Sequence, residues 1–330
     1  MKTAIACCAA FFALSTAAAQ NPSQAGAPGG VQSMGGGTCP RVPRTDSGGR
    51  GRGRGNAGNE YNCSDTKNPI ATPNTIWLEE MTWMDVRDAI KAGKTTIIIP
   101  TGGLEPNGPW LATGKHNYVL TANCEAIARK LGNALCAPVV KFVPEGNFDP
   151  PTVHMPSPNT ISMREETFRM MLTDIVHSLK VHGFKNIILI GDSGGNQPGQ
   201  RAVADSLTQI WKGDPVVAHI QEYYDYAGAA NFMKQHGIVE PEGKSDNLHD
   251  DPIIALNMFI TDPKSIRYTE RVKAGKASIN GVSLADKNKN TALAKQIVEF
   301  RATTTVEAIK KAIANKGTLP APQRGRGGTP

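Results

Sequence analysis

TTIIIP (95–100), running straight into TGGLEPNGPWLATGKH (101–116), is the stretch on which the reading of this chain turns. A continuous β-branched run this short, with no polar alternation, is the pattern of a strand buried on both faces of a sheet. The segment after it is rich in Gly and Pro, as a connection at a strand's carboxyl end would be. Such a loop has no packing use for a carboxylate and an imidazole, yet it carries Glu105 and His116. Carboxylate oxygen and imidazole nitrogen together suit a divalent metal, zinc or manganese first. A capping Glu and a surface His are the plainer alternative.

Outward from this stretch, apolar runs alternate with amphipathic ones. Thr82 opens a helix that stops at Gly93, and helical periods cover 118–131, 164–181, 200–212 and 289–314. Strands are expected at 137–143, at NIILI (186–190) and at 216–221. Strand and helix in alternation predict an α/β fold, a three-layer αβα sandwich around a mostly parallel sheet. Ligands of such folds bind at the carboxyl ends of the strands.

The ends of the chain read differently. Lys2, the apolar run from Ala4 to Leu14 and the small residues Ala17–Ala19 form an export signal over 1–19. Residues 20–73 form a disordered Gly/Arg/Pro-rich linker, 74–315 the folded domain, and 316–330 a second disordered tail. An exported chain, periplasmic or secreted, would keep Cys39, Cys63, Cys124 and Cys136; these allow three pairings, of which Cys39–Cys63 and Cys124–Cys136 close the shortest loops. The formal charge of +7 sits in the arginine-rich flanks, leaving the domain near neutral, so no nucleic-acid partner is expected. No run is long and apolar enough to span a membrane.

Four segments, in order, carry a family resemblance. Residues 102–116 resemble the creatininase motif G-x-x-E-x-H-G-P-H-L-P-x-x-T-D, with Gly102, Glu105, Gly108, Pro109 and Leu111 in place. HMPSPNTIS (154–162) resembles H-x-x-F-P-G-T-I-S, and GDSGGN (191–196) resembles the turn N-G-H-G-G-N. LHDD (248–251) with the following apolar helix resembles H-A-G-x-x-E-T-S. The resemblance, spanning 77–312, implies a creatininase-like α/β sandwich, a homo-oligomer, and a metal-dependent hydrolase of C–N bonds in small molecules.

It also implies ligand positions, and here the chain departs. Family members hold two metals through Glu, His, a bridging Asp, a second His and a second Glu; only Glu105 keeps its type. Asn107 replaces the first His, His116 the bridging Asp, Ser193 the second His and Gly195 the last carboxylate. The expectation is therefore one ion rather than two, on Glu105, His116 and Asp192, with His249 as an optional fourth ligand and Asp192 open to the alternative of a turn cap. His249 with Asp250 or Asp251 would move protons, although Asp before Pro252 is also a helix N-cap signal. Asn107 or the amides around Ser193 would hold an oxyanion, and His154, Trp110 and Asn196 would bind substrate. Two other functions fit the same chain: a lyase or isomerase on a sugar-like molecule, and a metal-free exported binding protein.

Overall fold

The computed structural model describes residues 66–317, so the expected signal peptide, most of the linker, the Cys39–Cys63 closure and residues 318–330 lie outside the described residues. The folded unit begins at Asn68, six residues before the sequence expectation. The reason is local: Asn68 Nδ2 and Thr72 Oγ1 both donate to Asp85 Oδ1, at 2.7 and 2.8 Å. Asp85 also closes a capping box with Thr82 at the start of α1 (Trp83–Lys91).

The central sheet is parallel, with β1 (Thr96–Thr101) between β2 (Ala134–Cys136) and β3 (Asn186–Gly191), and β4 (Val216–His219) outside β3. All six residues of β1 are buried, as the unbroken apolar run requires. Helix α2 (Lys115–Leu131) packs on β1 and β2, while α3 (Glu165–Val181) and α4 (Gln197–Trp211) pack together and on β3. After α5 (Tyr226–Gln235) come α6 (Pro252–Thr261) and α7 (Tyr268–Lys273), then a short hairpin of β5 (Ser278–Ile279) and β6 (Val282–Ser283). The long α8 (Lys287–Ala314) packs against α2 and α6 and reaches β4. Every residue of α6 from Pro252 to Phe259 is buried, because α2, α5 and α8 enclose it in a second apolar cluster.

Two boundaries differ from expectation in ways that matter. The strand expected at 137–143 pairs earlier, at Ala134–Cys136, and beyond it only isolated bridges form, such as Val140 with Thr101. Helix α2 starts at Lys115, three residues earlier than expected, which moves Lys115 and His116 out of the loop and into its first turn. Cys124 of α2 and Cys136 of β2 form a disulfide, one of the two shortest closures, with Cα atoms 6.5 Å apart. No helix among the described residues is long and apolar enough to cross a membrane.

Candidate active site

The carboxyl ends of β1 and β3 and the first turn of α2 meet at a cavity of about 630 Å³. Its lining includes Glu105, Lys115, His116, Glu145, His154, Asp192, Ser193 to Gly195, Tyr224, Tyr226 and His249 to Asp251. Gly103 lets two loops meet behind it: a Cβ there would fall 2.1 Å from Glu145 Oε1.

A buried chain of charges runs beneath the cavity. Glu105 Oε1 lies 2.7 Å from Lys115 Nζ and 3.0 Å from His116 Nε2. His116 Nδ1 lies 2.8 Å from Asp192 Oδ2. Asp192 Oδ1 accepts from Arg301 of α8 at 2.9 Å, from Tyr226 at 3.0 Å and from Tyr223 at 3.2 Å. The Arg301 guanidinium also lies over both tyrosine rings, 4.4 Å from the centroid of Tyr223 and 4.9 Å from that of Tyr226.

These contacts set the protonation states. Burial works against the charged form of His116, but the Asp192 and Glu105 carboxylates outweigh it and raise its pKa to about 9. It is therefore an imidazolium at neutral pH, donating from both ring nitrogens. Burial likewise opposes ionisation of Glu105 and Asp192; His116 with Lys115, and Arg301 with His116, nevertheless hold them below the usual carboxylate range. On Glu145 the His116 and Lys115 charges are outweighed. Burial and the adjacent Glu105 charge push it up to about 8, so it carries a proton, and its Oε1 has no hydrogen-bond partner.

Above this chain two histidines stack, with ring centroids 4.9 Å apart and planes 14° from parallel. His154 Nε2 is 3.2 Å from Glu105 Oε2, and His249 Nδ1 is 3.8 Å from Glu105 Oε1. Burial, aided by the Lys115 charge, lowers the pKa of His249 and favours its neutral, ligand-competent form. Among the described residues, Glu105, His154 and His249 are the group whose ligand atoms converge for a metal ion, all within 4.8 Å.

A family model described as creatinine amidohydrolase matches residues 79–319. The chain belongs to the creatininase family. Its curated relatives include a 3-dehydro-scyllo-inosose hydrolase of Thermotoga maritima, 27% identical over 37% of this chain and 37% of that one. Another is a creatinine amidohydrolase of Pseudomonas putida, 25% identical over 35% of this chain and 44% of that one. The match thus spans well under half the length of either relative. Solved creatininases share the fold: a manganese form has a TM-score of 0.51 at 17% identity, covering 72% of this chain and 99% of that one. A form described as Zn-Zn type has a TM-score of 0.50 at 17% identity, covering 73% and 99%.

Three of the creatininase ligand positions are filled differently in this site. The Asn107 amide donates to the Glu105 and Ala112 carbonyls at 2.9 and 3.3 Å, and Asn107 does not line the cavity. Both nitrogens of His116 are already engaged. A Cβ at Gly195 would lie 2.7 Å from the Pro144 carbonyl oxygen, so that loop leaves no space for a carboxylate side chain. What remains is two imidazoles and one carboxylate, a donor set that suits a catalytic zinc with a free position.

The sequence-predicted site residues take different places. Glu105, His116 and Asp192 do converge, as an ion-paired chain with the His116 imidazole between the two carboxylates. Asn107 secures its own loop instead of facing substrate. Asn196 is fully buried and donates to Thr101 and Gly102, which pins β1 to the turn after β3. Trp110 lies outside the cavity, with the Arg271 guanidinium 5.7 Å from its ring. Asp251 caps α6 by accepting from the Ile254 amide at 2.7 Å, and burial raises its pKa to about 6. Ser193, His154, His249 and Asp250 do line the cavity, and both carboxyl oxygens of Asp250 lack partners. Lys115, Glu145 and Arg301 were missed. A Lys-His pair opening a helix was the available signal for the first; Arg301 looks like any helical arginine.

Proposed function

We propose that the chain hydrolyses a C–N bond, amide or cyclic amide, in a small polar molecule, with one zinc or manganese ion on Glu105, His154 and His249. The observation that carries this reading is the convergence of those three ligand atoms at a cavity that also holds a protonated buried carboxyl, Glu145. The ion, when bound, supplies Lewis acidity and lowers the pKa of water. The chain's own groups do the rest. Glu105 is held in place by Lys115 and His116, and His116 in turn by Asp192 and Arg301. Water adds to the carbonyl carbon, the C–N bond breaks, and Glu145 gives its proton to the departing nitrogen. The products are a carboxylic acid and an amine, and Glu145 recovers a proton from the acid or from solvent.

The Thermotoga maritima relative keeps sugar-like small molecules as the other substrate class, including the lyase or isomerase chemistry open at the sequence level. A metal-free binding protein is favoured by one observation, the two cations already beside Glu105. Export through residues 1–19 and assembly into a homo-oligomer belong to the same proposal. Its test is metal analysis of the purified chain with a hydrolysis screen on lactams and other cyclic amides. One ion per chain with turnover of a cyclic amide is the expected result; a metal-free, inactive chain would sink the reading.

A further inference from the structure

Lys115 breaks two local rules at once. It is the first residue of α2, where the helix dipole disfavours a cation. It is also 1% exposed, although taking an ammonium out of water is costly unless its partners compensate. Sequences that depart from local preference so plainly do so at functional sites.

The ammonium has three N–H donors. One meets Glu105 Oε1 at 2.7 Å and a second the His249 carbonyl oxygen at 3.2 Å. The third has no acceptor among the described residues, while Lys115 lines the cavity. Of the hydroxyls in the lining, that of Tyr226 donates to Asp192. The hydroxyls of Ser193 and Tyr224 and the amides of Gly194 and Gly195 also line the cavity, but all are neutral donors, whereas Lys115 brings a charge.

We propose that Lys115 is a further catalytic residue, whose third N–H binds the carbonyl oxygen of the substrate and the oxyanion that grows from it. This rests on the hydrolase reading for its place in the reaction, but not for its substrate contact, which any small carbonyl compound would make. A fixed ammonium in a buried site is an electrophile that needs no reorganisation as negative charge develops. The ligand class it selects is a neutral carbonyl compound, since the carboxyl groups of Asp250 and Asp251 stand around the same cavity.

The test uses 2-pyrrolidinone labelled with ¹³C at the carbonyl, added to the full chain as purified and after chelator treatment. With the wild-type chain, the carbonyl resonance should move downfield on binding in both samples. Lys115→Met should abolish the shift in the chelated sample and weaken lactam binding by about tenfold or more, as expected for a lost charged hydrogen bond. In Lys115→Ala, methylammonium should restore the shift, which a purely structural lysine would not allow. If Lys115→Met unfolds, the alanine variant with and without methylammonium decides the matter. A shift retained in the chelated variant, no shift with the wild-type chain, or no methylammonium rescue would each overturn the proposal. A chain that polarises the lactam but hydrolyses no amide would overturn only the hydrolase reading.

Discussion

His116 Nδ1 and Asp192 Oδ2 lie 2.8 Å apart, joining the first turn of α2 to the end of β3 across 76 positions of sequence. With Glu105 on the other ring nitrogen, the imidazole sits between two carboxylates and holds its second proton well past neutrality. The consequence is a charge network that is part of the fold's stability as well as of its site.

Stability should therefore fall on the alkaline side. The folded pKa of His116, about 9 against 6.5, is raised, so its contribution is complete below about pH 6.5 and is lost as pH climbs through 9. That loss is on the order of 3 kcal/mol. Glu145 acts in the same sense, since its folded pKa is also raised, to about 8. Urea denaturation of the chelated chain from pH 6 to pH 9.5 should show the decline, and His116→Gln should flatten its upper limb. A rising or level profile in the wild-type chain would contradict the assigned charge.

Arg301→Met should be severely destabilising, by about 3–5 kcal/mol, because it leaves the Asp192 carboxylate buried without its guanidinium. Arg301→Met combined with Asp192→Asn should recover part of the loss. Guanidinium denaturation of the two variants measures both, and equal damage in the two would argue against a specific pairing.

Metal content should respond to the stacked histidines. His154→Ala or His249→Ala should each lower zinc occupancy at least tenfold, while Asn107→Ala should leave occupancy within about twofold, since its amide serves the loop. Elemental analysis after dialysis against a fixed zinc concentration reads this directly. Full occupancy in both histidine variants would move the ion elsewhere.

Reducing the Cys124–Cys136 bridge, with its sequence separation of 12, should cost roughly 3 kcal/mol by the loop-closure estimate. Thermal melts with and without a phosphine reductant provide the comparison, and an unchanged midpoint would contradict the estimate.

Sequence alone determined the layers. An unbroken apolar run such as TIIIPT can only be a strand covered on both sides, and its neighbours' helical periods supply the cover. Sequence also singled out Glu105, because a carboxylate in a Gly/Pro loop after such a strand has no packing role. It further indicated that a creatininase ligand set was broken, since Asn, Ser and Gly stand where donors would. What it could not assign was which charges neutralise which. His116 reads as a ligand or a surface His until Asp192, at the end of another strand, closes on its ring nitrogen. Arg301 enters the site from a helix 109 residues beyond Asp192. Asn196 and Trp110 have the chemistry of binding residues but are turned towards the fold's own backbone and Arg271. Backbone periodicity is a local property of neighbouring residues, whereas the charge state of a buried group depends on every group packed around it. Only the tertiary structure brings those groups together.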